Sequence, residues 1–337
     1  MSKLQLLFIK IMNFEFWPWK VFYAPLIPYY LYLSIKNRNI FFPANVNIGL
    51  KNGGFFEEDK KEILKNIPSQ FLPNSLYVSE SETTEGLILE IYKNNIAFPL
   101  IAKPLNEQRG KNVEIIKDEN ELDFYHKKLA KEYIVQEFIS HPIELAILVS
   151  RMPGDNHWEV SSITKKEFLS VKGDGKRDVK GLLKTNPRAV MIWEDLLRNV
   201  KVNWDEVLPE NEVRIIEKIG NHCRGTIFRN AIEIDKEKVA VVVSEILKNF
   251  EGFNYGRFDL KVKSIEDLYA GENIRILELN GVNADSAHVF DPDYKLFNAY
   301  KDIAWHWKRL SDIALLNAKQ EFKFKAVYAN LKNNLLT

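Results

Sequence analysis

The sequence predicts an α+β fold of layered antiparallel sheets. Three observations carry this prediction. Apolar and polar residues alternate over short runs, stretches with helical apolar spacing separate those runs, and compact turn sequences bring neighbouring runs together.

Taken in order, residues 4–35 crowd Phe14, Phe16, Trp17, Trp19, Phe22, Tyr23, Tyr29, Tyr30 and Tyr32 among Leu and Ile. A spanning helix needs roughly 20 apolar residues, and Pro18, Lys20, Pro25 and Pro28 interrupt this run. Three settings are open to the segment: packing on the protein's own core or on a homodimer partner, a place in a membrane interface, or, least in keeping with these interruptions, a span. Trp and Tyr flanked by Lys3, Lys10, Lys20, Lys36 and Arg38 suit the membrane interface. No small-residue cleavage site follows, so a signal peptide is not expected.

Residues 37–54 are rich in loop formers, including Pro43 and Gly53-Gly54. Helical spacing over 57–67 is halted by Pro68, 76–78 reads as a strand and 85–94 as an amphipathic helix. A strand over 98–104, a polar loop over 106–112 and a returning strand over 113–116 follow. Residues 120–129 are helical and 133–139 extended. Strands over 145–151 and 157–164 pair through the turn Pro153-Gly154-Asp155-Asn156.

At 337 residues the chain has the length of about two domains. Its 47 basic and 46 acidic residues argue against a nucleic-acid binder, whose footprint is a basic excess. A lone cysteine, Cys223, excludes an intramolecular disulfide and a thiolate metal cluster and fits a reducing compartment. The expected location is cytoplasmic, at the inner face of the membrane if the aromatic segment meets lipid. The six histidines show no metal-ligand spacing.

The chemistry concentrates in Gly256-Arg257-Phe258-Asp259 and Ile276-Leu277-Glu278-Leu279-Asn280-Gly281. Side chains alternate along a strand, so Arg257 and Asp259 share a face, as do Glu278 and Asn280, and the two strands hold all four on one surface while Phe258 and Leu279 turn to the core. Hard oxygen donors of this kind suit Mg²⁺ on the phosphates of a nucleotide, and Arg257 suits the charge of a transferring phosphoryl group. A hairpin with a merely polar outer face shows the same alternation. The polar run Asn283-Ala284-Asp285-Ser286 after the second strand favours a binding loop, and the charged 263–273 stretch is expected to be a solvated turn.

Lys103 ends an apolar strand before the loop containing Arg109 and Gly110, whose amides and basic side chains can fold over phosphates, although a lysine before proline is also an ordinary strand end. Gln136-Glu137-Phe138-Ile139 can offer backbone groups to an adenine edge, and Glu144 can accept from ribose hydroxyls; an edge strand with surface acids reads the same way. Gly173-Asp174-Gly175 is either a ligand loop or a tight turn. Arg224 and Arg229 suit a substrate carboxylate or a structural salt bridge.

In order, Lys60, Lys103, the Gly110 loop, Gln136 to Ile139, Glu144, Arg257, Asp259, Glu278 and Asn280 resemble the ATP-grasp superfamily. The branch they are most similar to is that of the carboxylate-amine ligases, which includes D-alanine-D-alanine ligase and cyanophycin synthetase. The resemblance implies two α+β subdomains clasping ATP. It places an N-terminal aromatic extension and reduced pre-ATP-grasp region at 1–75, a lid at 76–139, a catalytic subdomain at 140–315 and a tail at 316–337. It gives Lys60, Lys103, Arg109 and Gly110 to the ATP phosphates, with Lys61 competing for the role of Lys60. Gln136, Glu137, Phe138 and Ile139 fall to adenine, and Glu144 to ribose. Asp259, Glu278 and Asn280 would hold Mg²⁺, as two ions, while Arg257 and Lys103 act in catalysis. Gly173, Asp174, Arg224 and Arg229 would face the substrate.

The implied activity is an ADP-forming ligase acting on a small carboxylate and an amine. The alternative is a nucleotide-binding protein of the membrane surface with little or no turnover. Two departures stand out. Such ligases carry a full Rossmann-like domain where this chain has its aromatic segment, and the proline-containing motif after the metal asparagine is replaced by Gly281-Val282-Asn283-Ala284-Asp285-Ser286-Ala287-His288. Dipeptide-ligase substrates therefore do not carry over.

Overall fold

The computed structural model describes residues 3–55, 63–105, 112–200 and 202–317. In chain order these form α1 (Lys3–Met12), α2 (Trp19–Tyr23), α3 (Ile27–Lys36), β1 (Ser75–Val78), α4 (Thr84–Lys93), β2 (Leu100–Pro104) and β3 (Glu114–Ile116). Next come α5 (Glu119–Leu129), β4 (Tyr133–Glu137), β5 (Ile143–Ser150), β6 (Glu159–Glu167), β7 (Ser170–Lys172), α6 (Val179–Lys184), α7 (Pro187–Met191) and α8 (Trp193–Asn199). The series ends with β8 (Val213–Ile215), β9 (Ile227–Asn230), α9 (Lys236–Ile246), β10 (Tyr255–Val262), α10 (Ile265–Ala270), β11 (Arg275–Asn280) and α11 (Leu296–Asn317). Short polar side chains start many of the helices by accepting a free first-turn amide: Thr83 for α4, Asp118 for α5, Asp178 for α6, Asp235 for α9 and Ser264 for α10.

The expected α+β class is what the chain adopts, in two compact units. One comprises Met1–Met12, Pro73–His141 and Lys166–Ile227; the other comprises Asn13–Leu72, Pro142–Lys165 and Phe228–Thr337. In the first, an antiparallel sheet runs in the order β1-β4-β2-β3. Helices α4 and α5 bury Leu87, Ile91, Leu122 and Tyr125 against its Leu100, Ala102, Tyr133 and Val135. Alternation then leaves Lys103 and Gln136 on the face that these helices do not cover. A second hydrophobic cluster gathers Leu169, Val171, Leu182, Leu183 and Leu208 from β7, α6 and the chain before β8.

The second unit is built on the antiparallel sheet β11-β10-β5-β6-β9. Helix α9 lays Val239, Val242, Val243 and Ile246 on Leu145, Ile147, Ile163, Phe258 and Leu260. Each such side chain contributes about 1.5–3 kcal/mol on full burial. From Asn13 on, the aromatic segment belongs to this unit too. Phe22 and Leu26 pack with Val289, Ala299 and Ile303, while Leu33 and Phe42 pack with Leu148, Tyr255, Leu310 and Ile313. One side of the segment is thus part of the core; Trp19, Leu31 and Ile35 on its other side stay exposed.

The 263–273 stretch differs from the solvated turn expected of it. Helix α10 occupies its middle, capped by the Ser264 hydroxyl on the Asp267 amide and anchored by buried Leu268. The charges of this stretch decorate a helix rather than a loop. The strand expected over 98–104 starts at Leu100, and that over 133–139 ends at Glu137.

Candidate functional site

Strands β10 and β11 pair so that Arg257 lies opposite Asn280 and Asp259 opposite Glu278. Directly paired residues share a face, so the four side chains expected to act together occupy one surface. Asp259 Oδ2 accepts from Arg257 Nη2 at 3.1 Å and from Asn280 Nδ2 at 3.3 Å. Asp259 is buried and Arg257 partly exposed. Arg257 also donates through Nη1 to the Asp285 carbonyl at 3.1 Å, while its Nε is buried without a hydrogen-bond partner among the described residues. A β-bulge follows Asp259: Leu260 pairs with Ile276, which leaves Leu277 as the extra residue of β11. Gly256 is required beside it, because a Cβ there would stand 2.3 Å from Phe253 Cζ and 2.6 Å from the Asn280 carbonyl oxygen.

Burial disfavours charge on Arg257, yet Asp259, Glu278 and Asp285 outweigh it and hold the guanidinium above its ordinary range. The Asp285 side chain keeps access to solvent although protein surrounds it closely, as on the wall of a hollow. That crowding raises its carboxyl above the usual range, against the pull of Tyr23 and Arg257. The Tyr23 hydroxyl lies near this carboxylate but short of hydrogen-bond geometry, and burial pushes it well up. The aromatic segment thereby supplies a wall of the Arg257 surface.

The same face continues through Lys261, two residues beyond Asp259. Lys261 faces Glu144 across β10 and β5, with Nζ 3.8 Å from Oε2. Across Ala146 from Asp259 stands Thr164, fully buried, its hydroxyl without a hydrogen-bond partner among the described residues. His288 is held at both nitrogens: Nδ1 lies 2.7 Å from Ser162 Oγ and 2.9 Å from Ser286 Oγ, and Nε2 lies 2.9 Å from Asp302 Oδ2. Despite partial burial, hydrogen bonds from His288 and Tyr294 keep Asp302 below the usual carboxylate range.

In the other unit, Lys103 Nζ donates to Gln136 Oε1 at 3.1 Å, and Gln136 Nε2 donates to Ser75 Oγ at 3.0 Å. Glu137 is tied to Asn74, whose amide donates to Glu137 Oε2 at 3.3 Å, and Phe138 and Ile139 continue the chain beyond β4. Gly173 is packed so that a Cβ would meet the Pro209 carbonyl oxygen at 2.1 Å. Asp174 caps its own turn, accepting from the Arg177 and Lys176 amides and from Arg177 Nε, which pulls its carboxyl down to about 2. Arg224 pairs with Glu217 at 2.7 Å, and Arg229 with Asp293 at 2.8 Å and Asp291 at 3.3 Å. Of the two roles open to these arginines, the structure displays the salt bridge. Lys60, Lys61, Arg109 and Gly110 lie outside the described residues.

Among the described residues no three His, Cys, Asp or Glu side chains gather as a metal cage. Mg²⁺ does not require one. It is commonly held by one or two carboxylates together with substrate phosphates and water, so Asp259 and Glu278 with the Asn280 amide are a suitable donor set.

Sequence reading missed Lys261, Thr164, Tyr23 and Asp285 as members of this surface. Lys261 was within reach, since it extends the alternation of Arg257 and Asp259. Asp285 was visible only as part of a polar run. Nothing local marks Thr164 or Tyr23.

No protein-family model matches the chain, and no curated protein does. Similar solved structures exist. The VanG D-Ala:D-Ser ligase of Enterococcus faecalis is 17% identical over 76% of this chain and 61% of its own, with a TM-score of 0.43. A D-alanine-D-alanine ligase of Bacillus anthracis complexed with ATP is 15% identical over 83% and 68%, with a TM-score of 0.40. The D-alanine-D-alanine ligase of Coxiella burnetii is 12% identical over 89% and 64%, with a TM-score of 0.42. The chain spans less than two thirds of the length of the first and third of these.

Proposed function

We propose that this chain is an ATP-grasp ligase that forms ADP, activating a small carboxylate as an acylphosphate and passing the acyl group to an amine or related nucleophile. The observation that carries the reading is the register that sets Arg257 against Asn280 and Asp259 against Glu278 on one surface. Mg²⁺ held there by Asp259, Glu278 and Asn280, as one or two ions, would supply charge neutralisation at the phosphates of ATP. Arg257 would contribute a second positive charge to a phosphoryl group in transfer, a role supported by its buried Nε, which has no hydrogen-bond partner among the described residues. A substrate carboxylate oxygen attacks the γ-phosphorus, the bond to ADP breaks, and the nucleophile then adds at the acyl carbon, loses its proton and expels phosphate. Positioning and charge do this work, so no histidine or cysteine nucleophile is required, in keeping with a His288 whose two nitrogens are both engaged.

The roles that the resemblance gives Lys103, Glu144 and the Gln136 to Ile139 segment are part of the same proposal and are tested separately, Lys103 through Lys103→Met and its effect on the KM for ATP. The deciding experiment is a screen of amino acids, hydroxy acids and amines for stimulated ADP formation, with Glu278→Gln as the inactive control. A chain that binds ATP yet releases no ADP with any combination would overturn the ligase reading in favour of nucleotide binding without turnover.

A further inference from the structure

The inner side of α2, α3 and the turn between them is fixed by Phe22, Leu33 and Leu26, so the outer side is presented rigidly. That outer side is apolar: Trp19, Val21, Ile27, Leu31, Tyr32 and Ile35 are all exposed, Trp19 at 60% and Ile35 at 77%. Ile27, Leu31 and Ile35 recur at four-residue spacing and form a continuous stripe along α3. A monomeric protein in water seldom gathers this much apolar surface without a use for it.

The charge pattern selects the occupant. From Trp19 to Ile40 the chain has Lys20, Lys36 and Arg38 and no Asp or Glu. Lys36 is paired with Asp312 at 3.1 Å, while Lys20 sits over the Trp19 ring at 5.7 Å, and Lys20 and Arg38 are both exposed. A second copy of the chain would meet this face through a twofold axis, setting cations against cations with no acid in the segment to balance them. An anionic lipid headgroup layer matches both the cations and the apolar stripe, and a Trp beside a Lys belongs at that depth.

Insertion across a bilayer is not available to this segment. Helix α3 has 10 residues, about 15 Å of rise against a hydrocarbon core of about 30 Å. No helix among the described residues is long and apolar enough to cross a membrane. We infer that α2 and α3 form a peripheral docking face for an anionic phospholipid bilayer, lying in its interface with Ile27, Leu31 and Ile35 toward the acyl chains.

The test uses the full chain and sedimentation with vesicles of mixed phosphatidylglycerol and phosphatidylcholine, against vesicles of phosphatidylcholine alone. Binding to the mixed vesicles is expected, weaker by roughly tenfold on the neutral ones and reduced by salt. The double variant Leu31→Glu/Ile35→Glu, at exposed positions, should lose roughly tenfold in vesicle partition while keeping its melting temperature. A second variant, Lys20→Glu/Arg38→Glu, should lose binding to the mixed vesicles alone. The inference is overturned by absence of sedimentation with the mixed vesicles or by equal binding to both compositions. It is equally overturned by unchanged binding in both variants, or by a dimer in solution that Leu31→Glu/Ile35→Glu dissociates.

Discussion

Lys261 and Glu144 face one another from adjacent strands with their charged ends 3.8 Å apart, both almost sealed from water. A buried pair of this kind is tolerated because each charge compensates the other, so removing one partner is more damaging than removing both. Lys261→Met should lower the stability of the folded chain toward the lower end of about 3–5 kcal/mol, and Lys261→Met/Glu144→Leu should recover most of that loss. Urea unfolding of the three proteins checks the order. A double variant less stable than Lys261→Met would show that the pair is not the source.

Asp259 and Glu278 separate when activity and stability are measured together. Both substitutions, Asp259→Asn and Glu278→Gln, should abolish ADP formation, since each removes a charge from the surface assigned to Mg²⁺. Asp259 is also the acceptor that holds Arg257 and Asn280. Asp259→Asn should therefore lose about 1–3 kcal/mol of stability as well, whereas Glu278→Gln should melt close to the unaltered chain. Turnover within about threefold of the original in either variant would contradict the assignment.

His306 should shape the acid limb of stability. Burial, with His288 and Lys236 nearby and Asp302 opposing them, lowers its pKa from 6.5 to about 3. The folded state therefore keeps the ring neutral, with the Tyr255 hydroxyl 3.2 Å from Nδ1, while the unfolded chain takes up a proton below about 6.5. Above that pH the group has no effect. Between about 6.5 and 3 the unfolded state binds more protons and stability falls as pH falls, by at most about 1.4 kcal/mol per unit. His306→Gln should flatten this limb, and melting curves from pH 7 to 4 that overlay the original in slope would refute it.

Phe22 is the anchor of the aromatic segment, stacked on Phe14 and in ring contact with Tyr23, Phe290 and Tyr300. Phe22→Ala should cost about 3–5 kcal/mol by opening a cavity against α11, and deletion of residues 1–36 should yield an insoluble or low-melting protein. A soluble truncation with an unchanged melting temperature would mean that the inner side of the segment contributes nothing to the core.

The hairpin of β10 and β11 was legible because its information is local: alternation, a glycine entry and a polar exit lie within a few residues of one another. The α10 helix was misread because Glu266, Asp267 and Glu272 look like a solvated loop. Its start signal, Ser264 placed three residues before Asp267, is short enough to pass unnoticed. Tyr23 beside Asp285 could not be read at all, since the two meet only through tertiary packing of α2 near the loop after β11. The ion pairs of Arg224 and Arg229 were illegible for the same reason. A guanidinium in a sequence shows what it can bind, and only the fold shows whether Glu217, Asp291 and Asp293 reach it first.

The extra residue Leu277 lets two residues of equal parity serve opposite faces of one strand. Glu278 and Ile276 are two apart and would share a face in a regular strand, yet Ile276 is wholly buried with Leu260 while Glu278 stands with Asp259. The phase of the strand is reset between them. Deleting Leu277 would restore an even ladder and leave every acidic and basic residue in place. Ile276 and Glu278, then consecutive, would still turn to opposite faces, so the deletion would remove the bulge and keep each side chain on its present side. A survey of single-residue deletions along β11 should therefore find this position the most tolerant, because loss of a residue from the regular part of the strand shifts every side chain beyond it to the other face.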